Sequence, residues 1–130
     1  IFIYGDMHYI DPSRLGPFEG IWSCAALFTH TPKSLLVPSI NSVARLLNRD
    51  GIFCLSYTNG KADMRQDGYD KLLLSSTGRI KYFSQPDPDE ITRLASQCSL
   101  ELISESFNDF EVQGKVLKHN LFVSQSFKKI

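Results

Sequence analysis

His30 is the residue whose type and position best suit proton transfer. Imidazole is the side chain that most readily gains and loses a proton near neutral pH. The residues before it begin with the apolar run of 18–22, continue with the small residues Cys24 and Ala25, and reach His30 where a loop should begin. His30 can serve as a base or substrate contact, or it can be a structural residue that caps the following segment, and the sequence leaves both interpretations open.

Other reactive residue types form weaker patterns. Asp6 and His8 are two residues apart, so an extended backbone would present both as metal ligands, but a third ligand is not evident. Ser23 and Ser56 do not stand in a Gly-x-Ser-x-Gly turn, and the sequence therefore argues against a serine hydrolase. No metal site is predicted.

Composition limits the class of partner. The chain has 130 residues, 42% of them hydrophobic, and its 14 basic and 14 acidic residues cancel. This length fits one domain with one core. Without a basic face we expect no nucleic-acid partner and no membrane partner, and a small, roughly neutral molecule is favoured. Cys24, Cys54 and Cys98 lack metal or redox spacing, which favours small buried hydrophobic roles in a reducing cytoplasm.

The first half of the chain predicts strand, strand, helix and strand. The run Ile1–Tyr4 predicts a short strand, and Phe18–Cys24 predicts a buried parallel strand whose carboxyl end would carry the site near residues 24 to 30. A helix is expected from about Ser34 or Pro38, with Gly51 closing its last turn in the left-handed conformation. The next strand is expected from Gly51 to residue 57, which completes a βαβ unit.

The second half predicts a hairpin, a helix and two final strands. Two apolar runs flank residues 76–78, which predicts a hairpin turn, and a connection of this length is typical of a lid or a substrate-facing insertion. Asp87 and the proline after it open a helix cleanly. The final strands are expected at about Leu100–Phe107 and Asn120–Phe127, antiparallel and separated by a loop.

The order and spacing of these segments resemble the second half of a class I S-adenosylmethionine-dependent methyltransferase, closest to the bacterial small-molecule enzymes of that family. The resemblance covers nearly the whole chain, although any single motif would be weak. It rests on Gly5-Asp6-Met7, Phe18-Glu19-Gly20-Ile21-Trp22, Leu27-Phe28-Thr29-His30 and the stretch from Val43 to Gly51, followed by strand, helix and terminal strand pair.

The resemblance implies a fold, a cofactor and site residues. The fold would be a Rossmann-like three-layer α/β sandwich, with a mostly parallel sheet that ends in an antiparallel strand pair. S-adenosyl-L-methionine would be the cofactor and a small molecule the methyl acceptor. Asp6 would accept from the adenine amino group, the Met7 amide would meet the ring, and Cys24 and Ala25 would lie beside the cofactor.

One departure from the family pattern dominates. The glycine-rich loop and the acidic ribose-binding residue of the family have no counterpart, so residues 1–130 are interpreted as the C-terminal part of a single methyltransferase domain whose N-terminal strands are missing. We expect this piece alone to bind the cofactor poorly and to be inactive. A smaller departure is Ser99, where relatives usually have glycine.

Two further functions stay open. A methyltransferase-like binding module without catalysis would use an exposed sheet edge and an exposed apolar face for association. A nucleotide-binding dehydrogenase half is the third hypothesis, against which the missing dinucleotide fingerprint counts. The sequence identifies neither the acceptor atom nor the oligomeric state.

Overall fold

A computed structural model describes residues 2–62 and 68–130. A four-stranded sheet and a separate two-stranded hairpin carry two helices and a short 3-10 helix at Lys33–Leu35. The strands are β1 (Phe18–Cys24), β2 (Leu47–Thr58), β3 (Lys71–Leu74), β4 (Ile80–Phe83), β5 (Leu100–Val112) and β6 (Lys115–Lys129), and the helices are α1 (Leu36–Leu46) and α2 (Pro88–Gln97).

The main sheet is mixed. Its order is β1-β2-β6-β5, with β1 parallel to β2 and the two later pairings antiparallel. The register places Trp22 beside Cys54 and Cys54 beside Ser126. The predicted antiparallel pairing of the last two strands is therefore confirmed.

The core lies on one face of this sheet. Both helices contribute to a single apolar cluster, which means that they cover the same face. Successive strand residues point to opposite faces, so alternate residues of β2 and β6 enter the cluster and the residues between them do not. The buried cluster includes Leu36, Ile40, Val43, Phe53, Leu55, Tyr57, Ile91, Leu94, Val123 and Phe127.

The N-terminal segment differs from the prediction. Residues 2–6 are irregular and Phe2 and Tyr4 are fully exposed, so the strand predicted at Ile1–Tyr4 is wrong over the residues that the structure describes. A strand needs a neighbour for its backbone hydrogen bonds. None of the described strands pairs with this segment, which explains why its β-rich composition does not produce one.

The bounds of β1 are confirmed, but its predicted burial is wrong. The strand is parallel to β2 as expected, yet each of its residues is exposed or half-buried, and Trp22 is 78% exposed. Parallel strands are usually buried because helices cover both faces. Here β1 is an edge strand, so one side of its backbone lacks a partner among the described strands.

β2 follows α1 without an intervening loop, because the helix ends at Leu46 and the strand begins at Leu47, before the predicted start at Gly51. The helix begins at Leu36, so Pro38 lies within its first turn, where proline is tolerated. Asp50 takes the left-handed conformation (φ 66°) that was predicted for Gly51. Glycine is required at position 51 for another reason, since a Cβ there would lie 2.9 Å from the carbonyl oxygen of Asn48.

The later elements are confirmed, with one correction in length. The β3–β4 hairpin forms around residues 76–78, and the Asp87 side chain accepts from the Asp89 amide at the start of α2. The final strands extend to a two-residue turn at Gln113 and Gly114, so the predicted loop at Asn108 lies within β5. The register of β5 and β6 shifts between Asn108 and Phe110, so Asn108 is accommodated without ending the strand.

Candidate functional site

The carboxyl ends of β1 and β2 meet at Cys24, Ala25 and Ser56. The Ala25 amide donates to the Ser56 carbonyl at 2.9 Å, and the Ser56 hydroxyl donates to the Cys24 sulfur at 3.5 Å. Ala25 has φ 49°, a left-handed conformation that costs free energy in any residue with a side chain. The chain therefore turns sharply away from the sheet at a point where the side chains are small and exposed.

The loop after β1 is anchored at several points. The Leu27 amide donates to the Ser23 hydroxyl at 3.1 Å, and the Thr31 hydroxyl donates to the Leu27 carbonyl. Phe28 is buried with its ring edge-on to Tyr57 at 5.6 Å between centroids. Tyr57 is a core residue. The anchored loop leaves His30 exposed.

His30 is oriented by the β3–β4 hairpin. Its Nδ1 lies 3.3 Å from the carbonyl oxygen of Tyr82. A carbonyl oxygen can only accept a hydrogen bond, so Nδ1 carries the hydrogen when this bond forms. The unprotonated nitrogen of the neutral ring is then Nε2, which is the state required of a base.

Asp70 and Tyr82 form a polar cluster beside this loop. The Tyr82 hydroxyl and the Lys33 amide, the latter at 3.1 Å, both donate to the Asp70 carboxylate. Burial, and then the bond to Asp70, raise the pKa of the Tyr82 hydroxyl, so it stays a donor at neutral pH. Asp70 was not identified, because no sequence motif marks it.

Asp6 and Met7 line a cavity of the N-terminal segment. The Asp6 carboxylate accepts from the His8 amide at 2.9 Å, and Met7 is 43% exposed. The cavity has a volume of about 500 Å³, and its lining residues, which include neither Cys24 nor Ala25, are Ile3, Tyr4, Gly5, Asp6, Met7, Tyr9, Ile10, Asp11, Arg14 and Leu15. That Asp6 and Met7 act together with Cys24 and Ala25 around one cofactor stays a prediction.

His8 is engaged by α1. Its Nδ1 lies 2.6 Å from the Ser39 hydroxyl, which itself donates to the Leu35 carbonyl at 2.6 Å. That hydroxyl has one hydrogen, so His8 is the donor in its bond to Ser39. Across the described ranges 2–62 and 68–130, no three His, Cys, Asp or Glu side chains are placed to hold a metal ion.

Comparison with solved structures identifies the fold. No protein-family model and no curated protein matches the sequence. A methyltransferase of Methanosarcina mazei superposes with a TM-score of 0.73 at 13% identity, over 97% of this chain and 65% of that one. The chain has the fold of the S-adenosylmethionine-dependent methyltransferases. The methyltransferase CcbJ of Streptomyces caelestis gives 0.68 at 12% identity, over 98% of this chain and 62% of its own.

A third structure with the methyltransferase fold was solved with ligands. It is the 1,6-didemethyltoxoflavin-N1-methyltransferase of Burkholderia thailandensis with bound 1,6-didemethyltoxoflavin and S-adenosylhomocysteine, at a TM-score of 0.63 and 16% identity. It covers 98% of this chain, which spans 50% of its length. Across the three comparisons the chain thus spans between half and two thirds of each methyltransferase.

The comparison confirms the predicted Rossmann-like class I fold, whereas the described residues of the main sheet contain one parallel and two antiparallel pairings and have both helices on one face, not three layers around a mostly parallel sheet. In such α/β folds, ligands bind outside the carboxyl ends of the parallel strands. Ala25 and Ser56 stand at that edge in this chain, and the loop to His30 continues from it. In the described part of the chain no helix is both long enough and apolar enough to span a bilayer.

Proposed function

We propose that residues 1–130 are the C-terminal part of a single methyltransferase domain that transfers a methyl group from S-adenosyl-L-methionine to a small molecule. The observation that carries the proposal is the left-handed conformation of Ala25, which lies where the parallel strands β1 and β2 have their carboxyl ends, in a chain with the methyltransferase fold. Small residues at this edge permit close approach of a ligand to the backbone. A cytoplasmic location agrees with this function and stays a prediction.

Two pairs of residues are proposed to hold the cofactor. Cys24 and Ala25 are exposed at the end of β1, where an adenosyl group would lie. Asp6 provides a carboxylate acceptor for the adenine amino group, and the Met7 amide provides a donor to the ring. When bound, S-adenosylmethionine supplies a methyl group activated by a positively charged sulfur.

His30 serves as the general base in this proposal. Transfer by direct displacement needs an acceptor held in line and relieved of its proton. With the hydrogen on Nδ1 directed to the Tyr82 carbonyl, Nε2 of His30 is available to take that proton. Tyr82 belongs to the β3–β4 hairpin, which would then form one wall of the acceptor site.

The acceptor is proposed to be small. The chain carries no net charge, and one of the similar structures holds a small molecule, 1,6-didemethyltoxoflavin, beside S-adenosylhomocysteine. Exposed aliphatic side chains on the β3–β4 hairpin suit an acceptor with apolar surface. They are Leu72, Leu74 and Ile80, at 70%, 76% and 73% exposure.

The test replaces His30 in the complete encoded protein. His30→Gln should lower the rate of methyl transfer from labelled S-adenosylmethionine to small molecules extracted from the native cells by about 10²–10⁴-fold. Binding of S-adenosylhomocysteine should be unchanged, because His30 is assigned to the acceptor. Full transfer activity in the variant would refute the base, and absence of any transfer by the native protein would refute the proposed function.

A second candidate is a binding module without catalysis. The observation that favours it is the unpaired edge of β1 together with Trp22, which is 78% exposed on the sheet face opposite the helices. Sizing chromatography of the complete protein from native extract separates the two functions. A stable complex with another protein, in a preparation that binds no S-adenosylhomocysteine, would favour the binding module.

A further inference from the structure

Asp70 ties together the segments that surround His30. Its carboxylate accepts from the Lys33 amide at the start of the 3-10 helix and from the Tyr82 hydroxyl on β4. Its own amide donates to the Ser84 hydroxyl at 3.4 Å. Lys33 lies three positions after His30, so the carboxylate connects the loop of His30 directly with β4.

The backbone of Asp70 is itself unusual. It has φ 54°, in the left-handed region that costs free energy for residues other than glycine. Aspartate and asparagine tolerate this region better than most residues because their side chains bond locally. This conformation allows the side chain to reach Lys33 while the chain continues into β3.

The Tyr82 carbonyl reaches His30 from the strand that Asp70 holds. Tyr82 uses its side chain to bond Asp70 and its carbonyl oxygen to bond Nδ1 of His30. A second tie between the same two segments is the bond from the Ser84 amide to the Thr29 carbonyl, at 2.9 Å. Hydrogen bonds thus link Asp70 to His30 through Tyr82.

We propose that Asp70 is a positioning residue that holds the Tyr82 carbonyl against His30 and so keeps the lone pair of the neutral ring on Nε2. Its catalytic consequence rests on the proposed function, whereas its effect on the ring does not. A histidine free in water prefers the opposite arrangement, with its hydrogen on Nε2. The protein therefore selects a state that solvent does not favour.

The test is nitrogen NMR of the histidine rings in the 130-residue chain, labelled with ¹⁵N. Long-range proton–nitrogen correlation distinguishes a ring nitrogen that carries hydrogen from one that does not. Spectra are recorded at about pH 8.5, well above the ordinary histidine pKa of about 6.5, so that the rings are neutral. We expect Nδ1 of His30 to carry the hydrogen in the native chain.

Three variants distinguish the effect of the Asp70 carboxylate on the His30 ring from a general disruption of the fold. Asp70→Gly keeps the left-handed backbone and removes the acceptor, so the hydrogen should move mainly to Nε2 of His30. Asp70→Asn keeps both features and should leave it on Nδ1. Tyr82→Phe removes the hydroxyl donor alone and should behave like Asp70→Gly, which keeps the test available if the glycine variant does not fold.

Matched controls lie in the same spectra. Asp109→Asn changes a carboxylate of the β5–β6 hairpin that pairs with His119 and should leave His30 unaffected, and the ring of His8 reports general disturbance. A native His30 with hydrogen on Nε2, or a Tyr82→Phe ring identical to the native one, would overturn the proposal. No cofactor or acceptor is present, so this outcome is independent of whether the protein transfers methyl groups.

Discussion

Gly60 and Gly68 both approach the carbonyl oxygen of Gln85 so closely that a Cβ on either residue would overlap it. Gly60 also donates its amide to the Pro86 carbonyl at 2.9 Å, and the Gln85 amide donates to the Gly68 carbonyl at 2.7 Å. These contacts close the base of the connection between β2 and α2. The glycines therefore fix where the β3–β4 hairpin leaves the core.

We predict that Gly60→Ala destabilises the chain by about 1–3 kcal/mol, because the obstructing atom belongs to the backbone and cannot rotate away. Urea unfolding followed by circular dichroism measures the change. Gly5→Ala is the control, since nothing lies within 4 Å of the Cβ it adds. Equal stability of the two variants would show that the close approach is absent.

Ser99→Gly should stabilise the chain by about 0.5–1 kcal/mol. Ser99 follows α2 with φ 61°, where glycine avoids the cost of a side chain. This explains in physical terms the glycine expected there from the resemblance. Ser96→Gly, in the helix itself, should instead destabilise by about 0.5–1 kcal/mol. Denaturant midpoints that shift in the same direction for both variants would contradict the prediction.

Tyr57→Phe should cost about 1–3 kcal/mol of stability. The Tyr57 hydroxyl donates to the side-chain oxygen of Gln125 at 2.6 Å, and Gln125 is 1% exposed. Removing the hydroxyl leaves that oxygen buried without its donor. Tyr4→Phe is the control, because Tyr4 is fully exposed and its variant should lie within about 0.5 kcal/mol of the native chain. Thermal unfolding that does not separate the two variants would show that the buried bond adds nothing.

Asp109 gives a prediction for acidic pH. The Asn120 amide donates to its carboxylate at 2.8 Å, and this bond, followed by His119, lowers the Asp109 pKa below its ordinary 3.8. Because the pKa is lowered, the ionised Asp109 carboxylate stabilises the folded chain above pH 3.8. This stabilisation is lost as the pH falls through the pKa of Asp109 in the folded chain. The proton shift of the Asn120 amide should therefore titrate with a midpoint below 3.8.

The same titration in Asp109→Asn should lose this transition. A midpoint at or above 3.8 in the native chain would instead mean that the bond between the Asn120 amide and Asp109 does not form in solution.

Local signals explain which elements could be predicted. The N-cap of α2 and the turn of the β3–β4 hairpin are encoded by neighbouring residues, so both were predicted correctly. Whether residues 2–4 form a strand depends on a neighbouring strand, and sequence composition does not show whether one is present. The burial of β1 failed for the same reason, because its apolar residues indicate a strand but not whether another strand lies beside it.

The site was predictable only in part. His30 could be singled out by residue type and position at the end of an apolar run. Its orientation could not, because it depends on Asp70 and Tyr82, which lie 40 and 52 residues later and carry no motif. Likewise, the polar bonds between Asp6 and His8, and between His8 and Ser39, become apparent only when the chain is folded.

Titration of S-adenosylhomocysteine into the complete encoded protein by calorimetry tests the central claim most directly. The account predicts saturable binding of one ligand per chain. It also predicts that Asp6→Ala weakens this binding at least about tenfold, because a charge-assisted hydrogen bond to the adenine amino group is lost. Absence of binding by the native protein, or equal affinity of the Asp6→Ala variant, would contradict the account.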